Sequence, residues 1–356
     1  MKAVRVHAPY DARLDDVPAP QLAAPDDVKV RVTAAGICGT DLWLYEHAPV
    51  PAGYRHPAFG ETGPHVLGHE LAGVVTEVGP AAAGPTIGDL VAVRPLVACG
   101  TCATCRRGDT NICEQRGFLG IHGGGGGFSE QVVVPVAQVH VLPEPFTPAT
   151  GALVETLATC WHAVASVQLD PDDPVLVIGA GPIGLGVVLC LRAHGVRDVL
   201  VSAHGEARQQ AARSFGAQVV DPRETDLVRW VRTTTSRAGV AVSFDCAGAP
   251  GRVVDEQVKV LRPGGHLVVV AEFHEPTAID LASLMRAGKH LHGSSAYTPA
   301  DFDAVIAAVA AGDLDPTSLV TSVVTLEDAI SAGLDGLRDG ARETQVKILV
   351  GQGTAS

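Results

Sequence analysis

Apolar segments typical of strands alternate with helical patterns through the second half of the chain. The run VLVI at 175–178 leads into spaced glycines and then into a longer apolar stretch with helical spacing. Further candidate strands follow at 198–202, 217–220, 240–248, 264–273 and 289–295. Because strands that alternate with helices are typical of a doubly wound parallel sheet, this half of the chain is predicted to form an α/β domain.

Towards the C-terminus the pattern predicts a helix, a strand, a second helix and a final strand. TPADFDAVIAAVAAG, 298–312, has Thr298 and Pro299 at its start and Gly312 at its end, which are residue types typical of helix ends. TSVVTLEDAISAGLDGL, 321–337, predicts a strand followed by a helix, and KILV, 347–350, predicts the final strand. We interpret these segments as packing elements and assign them no chemistry.

Length and charge restrict the classes of function. A chain of 356 residues is long enough for two domains. Its net charge of −13 argues against nucleic acid as a partner, since phosphate binding needs a basic surface. Arg5 and Asp11 interrupt the N-terminus before a signal-peptide core, and the longest uncharged apolar run, 175–191, is short for a membrane span of about 20 residues. We therefore expect a cytoplasmic protein with no membrane partner.

Half of the eight cysteines lie in one short segment, CGTCATCRRGDTNIC, at 99–113. Cys99, Cys102, Cys105 and Cys113 have the spacing C-x2-C-x2-C-x7-C. Four thiolates complete a closed tetrahedral shell for zinc and leave no position for water. Clustered cysteines in a reducing cytosol more often bind metal than form disulfides. The spacing predicts a structural zinc, with an iron–sulfur centre, two disulfides or four unrelated thiols as alternatives.

Other metal-binding residue types are dispersed along the chain. Cys38 lies in GICGTDLWLYEH, His69 and Glu70 lie in VLGHELAG, and Glu155 lies in GALVETLATCWHA. A thiolate, an imidazole and a carboxylate are the ligand types of a catalytic zinc. Each residue also has an ordinary interpretation, since a lone cysteine is often a small buried hydrophobic residue and a glutamate stabilises the first turn of a helix. Spacing alone does not bring them together.

The glycines after VLVI predict a phosphate-binding turn. Gly179-x-Gly181-x-x-Gly184 lies between a predicted strand and a predicted helix, which is the context of the dinucleotide-binding fingerprint. The helix N-terminus would supply N–H groups and a partial positive charge to the pyrophosphate. The alternative is a glycine-rich turn in another kind of α/β protein. The residues assigned to the cofactor in this turn are Gly179, Gly181, Pro182, Ile183 and Gly184.

The end of the second predicted strand bears on the choice of cofactor. An acidic residue is expected there to bind the ribose of NAD, but Ala203 follows Ser202. Without that carboxylate a 2′-phosphate is not repelled, and Arg208, or His204 when protonated, would attract it. NADP is therefore favoured. NAD remains the alternative, with Glu206 or backbone groups holding the ribose.

Taken together, the motifs resemble those of the zinc-dependent medium-chain alcohol dehydrogenases. GICGTD, GHE, the four-cysteine loop, GGGFSE, the Glu155 segment and GxGxxG follow one another in the order of that family and cover nearly the whole chain. LYEHAPVPAGYRHPAFGETGPHVLGHE and LVETLATCWHAV look like the 2,3-butanediol dehydrogenase (diacetyl/acetoin reductase) branch, although Thr156 stands where that branch usually has proline.

The resemblance implies a fold, ligands and an assembly. It implies a β-rich GroES-like catalytic domain over 1–158 and 299–356, with a Rossmann domain over 159–298. It also implies a homo-oligomer, a dimer or tetramer, formed through the edge of the Rossmann sheet. The residues that it places at a catalytic zinc are Cys38, His69 and Glu155 as ligands, Glu70 as a ligand or close partner, Thr40 at the substrate oxygen, and Asp41 supporting the metal shell.

One departure affects the proton path. The family often has a histidine where this chain has Trp43, so that either His47 or water would relay the proton from Thr40. Trp43 would add bulk near the substrate, unless it only packs in the core. The predicted function is hydride transfer between NAD(P) and a secondary alcohol or ketone, such as a vicinal diol or acetoin. Alternatives are a sorbitol-like polyol, threonine-like or bulkier secondary alcohol dehydrogenase, and a non-catalytic zinc protein that binds dinucleotide.

Overall fold

The computed structural model describes residues 1–48, 53–249, 251–341 and 344–351. Residues 49–52, which belong to the extended segment between Cys38 and His69, lie outside the described part. The strands are β1 (Lys2–Ala8), β2 (Asp11–Asp16), β3 (Asp27–Gly36), β4 (Glu70–Val78), β5 (Leu90–Val93), β6 (Leu96–Val97), β7 (Gly117–Phe118), β8 (Gln131–Pro135), β9 (Val139–Val141), β10 (Val175–Ile178), β11 (Val199–Ser202), β12 (Gln218–Val220), β13 (Val240–Asp245), β14 (Leu261–Val269), β15 (His290–Gly293), β16 (Val320–Val324) and β17 (Lys347–Gly351).

Helices occur in both halves of the chain. The α-helices are α1 (Gly39–His47), α2 (Ala103–Arg106), α3 (Pro148–Ala152), α4 (Val154–Ala165), α5 (Pro182–Ala193), α6 (Glu206–Ser214), α7 (Leu227–Thr234), α8 (Arg252–Val260), α9 (Leu281–Arg286), α10 (Pro299–Ala311) and α11 (Gly336–Arg338). Short 3₁₀ helices cover Thr110–Ile112, Val136–Gln138 and Thr317–Leu319, and a π-helix covers Ala329–Asp335. In the described residues, no helix is long and apolar enough to cross a membrane.

The chain divides into two compact units. Unit 1 comprises Met1–Glu155, Tyr297–Gly312 and Val320–Ser356, and unit 2 comprises Thr156–Ala296 and Asp313–Leu319. The units therefore change within three residues of the predicted boundaries at 158 and 298. The short segment Asp313–Leu319 differs from the predicted assignment, since it groups with unit 2.

Unit 1 is built on a strongly paired β-sheet. Its strand order is β16-β17-β3-β4-β5-β9, and β8 pairs with β3 outside that path. β3 pairs with β4 in antiparallel register that sets Gly36 opposite Glu70, and β17 sets Leu349 opposite Gly36. The inward residues of these strands are almost fully buried, among them Val30, Leu71 and Val91. The sheet thus brings the end of β3, the start of β4 and β17 to one place.

Unit 2 contains the predicted doubly wound sheet. Its six strands lie in the order β12-β11-β10-β13-β14-β15, and all the pairs are parallel. This order, 3-2-1-4-5-6 in chain sequence, is that of a Rossmann fold, which confirms the predicted fold class. Strands buried on both faces read as continuous apolar runs, and all four residues of β10 are buried. β10 and its glycine turn lie at the middle of the sheet, where the strand order reverses.

The C-terminal predictions are confirmed for most elements. α10 begins after the N-cap Thr298, whose hydroxyl accepts a hydrogen bond from the Asp301 N–H, and it ends at Gly312 in the left-handed conformation. The strand predicted at KILV is β17. The predicted last helix is wound mainly as a π-helix, which the sequence pattern did not indicate.

Candidate active site and metal centres

Cys38 lies at the junction of β3 and α1, where it is the N-cap residue of the helix. Its backbone N–H donates to Asp41 Oδ2 at 2.8 Å, while Asp41 Oδ1 accepts from the Gly68 N–H at 3.1 Å. Asp41 is fully buried. One carboxylate therefore fixes the segment of Cys38 against the segment of His69.

His69 is held immediately before β4 by a left-handed turn. Gly68 has a φ of +90°, a conformation that favours glycine. The Nδ1 atom of His69 lies 3.6 Å from Asp41 Oδ1. Burial alone would lower the pKa of His69, but Asp41 and Cys38 outweigh it and hold that pKa well above its usual range. The carboxylate of Asp41 and the sulfur of Cys38 therefore favour a positive charge at this ring.

Three donor groups converge here. Atoms of Cys38, His69 and Glu70 lie within 4.8 Å of one another. Thr40 Oγ1 lies 3.8 Å from Cys38 Sγ, so that the hydroxyl borders the donor set. Cysteine, histidine and carboxylate are ligand types that zinc takes in catalytic sites with an open position. The residues present therefore fit zinc by their chemistry and spacing.

Glu70 is held from two sides. A Cβ at Gly36 would overlap the Glu70 carboxylate, so only glycine leaves room for it. Lys347 on β17 donates from Nζ to both Glu70 oxygens, each at 2.7 Å, and both side chains are 1% exposed. Lysine is almost never fully buried unless it is paired. One member of this buried ion pair, Glu70, belongs to the donor set. The sequence analysis did not predict the pair.

Glu155 lies beside the three-residue group, in the first turn of α4. In the described part of the chain, the Glu155 carboxylate is not within 4.8 Å of all three donor atoms of Cys38, His69 and Glu70. Burial, opposed by the charge of His69 and assisted by that of Glu70, raises the pKa of Glu155 to about 7. Burial also raises the pKa of Tyr297, with a further contribution from Glu155. Glu155 is thus within electrostatic reach of the donor set, and Tyr297 is a neighbour that sequence reasoning missed.

The four-cysteine loop forms a second, separate cluster. Cys99, Cys102, Cys105 and Cys113 present sulfurs within 4.8 Å of one another, and all are free thiols. The sulfur–sulfur distances are 3.5 Å between Cys99 and Cys113, 3.9 Å between Cys102 and Cys113, and 4.0 Å between Cys99 and Cys105. A tetrahedron with Zn–S bonds of about 2.3 Å has edges of about 3.8 Å, whereas a disulfide needs about 2.0 Å. The geometry fits zinc and not disulfides.

Backbone amides surround the loop sulfurs. The N–H groups of Thr101 and Cys102 donate to Cys99 Sγ at 3.4 and 3.3 Å, and that of Gln115 donates to Cys113 Sγ at 3.3 Å. The Thr104 hydroxyl and nearby N–H groups lower the pKa of Cys102 to about 5, while burial and the neighbouring sulfurs raise that of Cys105 to about 12. Four thiolates at this spacing repel one another, so a divalent cation would stabilise them.

The glycine turn of unit 2 has the geometry of a phosphate cradle. Gly179 adopts a φ of +93°, and its N–H donates to the Ser202 carbonyl at 2.8 Å. A Cβ at Gly184 would overlap the Gly179 carbonyl, so the third glycine permits the close approach of α5 to β10. Gly181, in contrast, faces open space at the N-cap of α5, and Pro182 and Ile183 begin that helix. This turn can receive a pyrophosphate.

The end of β11 carries the residues predicted to select the cofactor. Ala203 is buried and His204 is exposed. Gln209 Nε2 donates to the Ala203 carbonyl at 3.0 Å and to Asp221 Oδ2 at 3.1 Å. Arg223 pairs with Asp221 at 2.8 Å and holds the pKa of Asp221 down at about 2. An acid–base pair missed in the sequence therefore lies beside Ala203.

Trp43 and His47 form a local pair on α1. Their rings are stacked with centroids 5.4 Å apart, and His47 Nδ1 lies 3.0 Å from the Trp43 carbonyl oxygen. Trp43 packs against the core of unit 1, and His47 is exposed. His47 lies seven residues after Thr40 in the helix, about 10 Å further along the axis. His47 therefore cannot take a proton directly from Thr40.

Comparisons with known proteins agree with this geometry. A family model described as the alcohol dehydrogenase GroES-like domain matches residues 24–144, and one described as zinc-binding dehydrogenase matches residues 182–311. The (R,R)-butanediol dehydrogenase of Bacillus subtilis (strain 168) is 36% identical over 98% of this chain and 99% of its own length. The (R,R)-butanediol dehydrogenase of Neisseria gonorrhoeae is 32% identical, with the same shares covered.

Solved structures share the fold. The crystal structure of 2R,3R-butanediol dehydrogenase from Bacillus subtilis superposes with a TM-score of 0.91 at 36% identity and covers 98% of this chain and 99% of its own. An NADP-bound structure from Sinorhizobium meliloti 1021 has a TM-score of 0.88 at 30% identity and covers 98% of each chain. An NADH-bound alcohol dehydrogenase from Escherichia coli CFT073 has a TM-score of 0.88 at 27% identity and covers 99% of each chain. Similar chains thus hold either cofactor.

Proposed function

The chain belongs to the zinc-dependent medium-chain alcohol dehydrogenase family, and from this membership we propose that it interconverts a vicinal diol and the corresponding hydroxyketone or diketone, such as 2,3-butanediol, acetoin and diacetyl. It is an oxidoreductase that acts on CH–OH groups. The observation that carries the substrate proposal is the 36% identity to a butanediol dehydrogenase over nearly the full length of both chains.

The roles of the donor residues follow from their positions. Cys38 and His69 would hold a zinc ion, with a carboxylate from Glu70 or Glu155 completing the protein ligands. Bound zinc would supply Lewis acidity that polarises the substrate oxygen and lowers its pKa. Asp41 holds the two ligand segments in register. Lys347 balances the charge of Glu70, which favours Glu155 as the carboxylate that completes the protein ligands.

Thr40 is the group proposed to handle the hydroxyl proton. Its Oγ1 borders Cys38 Sγ, so an alcohol oxygen held at the donor set would lie within hydrogen-bonding range of it. Since His47 is about 10 Å further along the helix, the proton would leave Thr40 through water. The nicotinamide would accept the hydride, which is chemistry of the cofactor.

We propose that the loop of Cys99, Cys102, Cys105 and Cys113 holds a structural zinc. The observed sulfur spacing and the four identical donors support this assignment. The protein would therefore carry one catalytic and one structural zinc. Elemental analysis of the purified protein, with zinc and iron measured together, distinguishes this proposal from an iron–sulfur centre.

We propose that NADP is the preferred cofactor. Ala203 removes the acid that would repel a 2′-phosphate, and His204 and Arg208 follow it at the start of α6. Asp221 is the nearby carboxylate, and Arg223 offsets its charge. Ala203→Asp is expected to raise the NAD over NADP ratio of kcat/KM at least about tenfold, since a carboxylate there binds the ribose hydroxyl and repels the phosphate. An unchanged ratio would place cofactor selection elsewhere.

We also propose that two copies associate through β15. This strand is the last in its sheet. Exposed apolar side chains lie on the strand and on the helix before it: Leu291 of β15 is 42% exposed, and Leu281 and Met285 of α9 are 70% and 73% exposed. An uncovered strand edge beside apolar side chains is a typical self-association surface. Light scattering after gel filtration should give a dimer or tetramer, and Leu291→Arg should shift it towards monomer.

The deciding experiment for the function follows absorbance of the reduced nicotinamide with acetoin or diacetyl, using NADPH and NADH in parallel. Turnover that prefers NADPH supports both the diol substrate and the cofactor proposal. Turnover with NADH alone keeps the substrate and overturns the cofactor. If neither cofactor gives turnover, the vicinal-diol proposal is wrong and a polyol or bulkier secondary alcohol becomes the substrate to test.

A further inference from the structure

His122 lies in a loop that packs directly on the segment of His69. It follows β7 and precedes the five glycines Gly123–Gly127. A Cβ at Gly120 would overlap the Gly68 carbonyl, and one at Gly126 would meet the Leu67 carbonyl. The lack of side chains thus lets this loop lie against the backbone that carries His69. His122 therefore lies in a loop that contacts the segment preceding His69, within electrostatic reach of the His69 ring.

The ring of His122 is fixed in one tautomer. The backbone N–H of Phe118 donates to the ring atom Nδ1 of His122 at 3.1 Å. The backbone N–H of His122 donates to the Phe118 carbonyl oxygen at 2.9 Å. A backbone amide can only donate, so Nδ1 must present its lone pair. In the neutral ring the proton then resides on Nε2, which makes that atom a hydrogen-bond donor.

The surroundings keep this ring neutral. Burial has the largest effect on the pKa of His122, and together with the smaller effects of His56, His65, Arg116 and His69 it lowers that pKa to about 4. The ring of His56 packs against it with centroids 5.1 Å apart. His56 is itself fixed, since its Nδ1 accepts from the Ala58 N–H and its Nε2 lies 3.1 Å from the Arg116 carbonyl oxygen. His122 is thus a donor of constant charge near neutral pH.

The Nε2–H of His122 has no partner in the described residues. Among the described residues, the only hydrogen bond of the His122 side chain uses Nδ1. The Nε2 atom is not fully buried. The donor therefore points to accessible space, on a side chain that is otherwise half-buried. A neutral donor that is held rigidly in a loop against the His69 segment and has no partner among the described residues can recognise an oxygen of a substrate.

We propose that His122 Nε2–H donates a hydrogen bond to the second oxygen of the substrate, the hydroxyl or carbonyl oxygen on the carbon next to the reacting carbon. This makes His122 a specificity-determining residue that favours vicinal diols and hydroxyketones over simple secondary alcohols. The inference rests on the proposed function, because it names what in the chain recognises the second oxygen.

Two substitutions separate recognition from a structural role. His122→Asn retains an oxygen that can accept from the Phe118 N–H but lacks a donor at the position of Nε2. His122→Gln retains an amide donor near the position of Nε2 but loses the bond to Phe118. The substrates are 2,3-butanediol and 2-butanol, which differ only in the second hydroxyl. His7→Asn, an exposed histidine on β1, is the matched control.

The readout is the ratio of kcat/KM for 2,3-butanediol to kcat/KM for 2-butanol, measured on the metal-loaded enzyme. His122→Asn is expected to lower the ratio about tenfold, the value of one lost hydrogen bond at the upper end of its usual range, while His122→Gln retains more of it. A smaller ratio for His122→Gln than for His122→Asn, or equal ratios in both variants and wild type, would overturn the inference.

The failure of this inference can be told apart from the failure of the proposed function. If the wild-type enzyme oxidises neither compound, the proposed function is wrong. If it oxidises both with the same ratio as His122→Asn, the function stands and His122 does not recognise the second oxygen. Long-range ¹H–¹⁵N NMR at pH 7 tests the premise directly, since a ring protonated on Nδ1 would contradict the fixed donor.

Discussion

The two sulfur-containing donor sets of unit 1 balance their charge in different ways. In the cysteine loop, four like donors come from residues 99–113, and backbone N–H groups of the same loop point at the sulfurs. In the open set, Cys38 comes from one segment and the adjacent residues His69 and Glu70 come from another. Their charges are balanced by Asp41 at one side and by the buried Lys347 at the other.

This difference implies different tasks. A shell of four thiolates is complete, so its metal can hold a loop but has no position for a substrate. The open set has fewer ligands of mixed type and a hydroxyl, Thr40 Oγ1, at its border. It also depends on contacts from β3, β4 and β17. We therefore expect damage to the loop to appear as lost stability, and damage to the open set to appear first as lost turnover.

Cys38→Ser should give the largest effect and test the open set. Loss of the thiolate ligand removes metal polarisation worth several kcal/mol, so turnover of a secondary alcohol should fall at least about a thousandfold. Steady-state kinetics, metal content and thermal unfolding are measured on the same preparation. The melting temperature should stay near that of wild type. Full activity in a variant that has lost this metal would contradict the mechanism.

Cys113→Ser tests the closed set. Cys113 is 4% exposed, and its sulfur lies 3.5 Å from that of Cys99. Loss of a structural metal belongs to the large class of destabilising changes, about 4 kcal/mol, or about 8 to 16 °C in melting temperature for a unit of this size. Activity per folded molecule below the transition should remain. Cys160→Ser, at a buried cysteine of unit 2, controls for a simple thiol-to-hydroxyl change.

The closed set was predictable from sequence because its geometry is local. Four cysteines within one short segment must lie near each other, and the structure brings their sulfurs together. The glycine turn was predictable for the same reason, since strand, turn and helix are consecutive. The central strands of unit 2, β10, β11 and β13, also followed from apolar runs, because a strand buried on both faces carries its own signal.

The open set could be assembled only through the family resemblance, because nothing local joins Cys38 to His69 and Glu70. Glu70 and Lys347 are 277 residues apart in the chain. A lysine at the start of KILV gives no sign of its partner, so that segment was interpreted as packing alone. His122 was missed because its environment depends on the backbone of Gly68 and on rings from other segments. The roles assigned to Cys38, Thr40, His69 and Glu155 stay predictions.

Lys347→Met sharpens the comparison, since it removes a positive charge that is distant in the chain and that balances Glu70 in the open set alone. Glu70 would be left buried and unpaired, and breaking one partner of a buried ion pair costs about 3 kcal/mol or more. Chemical denaturation should show this loss, and metal content should fall at the open set but not in the loop. The double variant Lys347→Met with Glu70→Gln should recover most of the stability. If it recovers none, packing of the lysine chain is the cause.

Treatment with a chelator should give the smallest effect, a difference in rate between the two sets. A metal with an open position can accept a ligand from the chelator before it leaves, whereas the four-thiolate shell must first lose a ligand of its own. Activity should therefore decay faster than the loop releases its metal. Metal release is followed with a chromogenic dye and activity in parallel samples.

In Cys38→Ser the fast phase of release should be missing while the slow phase remains. A single phase in wild type, with activity lost in step with all the metal, would show that the two sets do not differ in the way their geometry indicates.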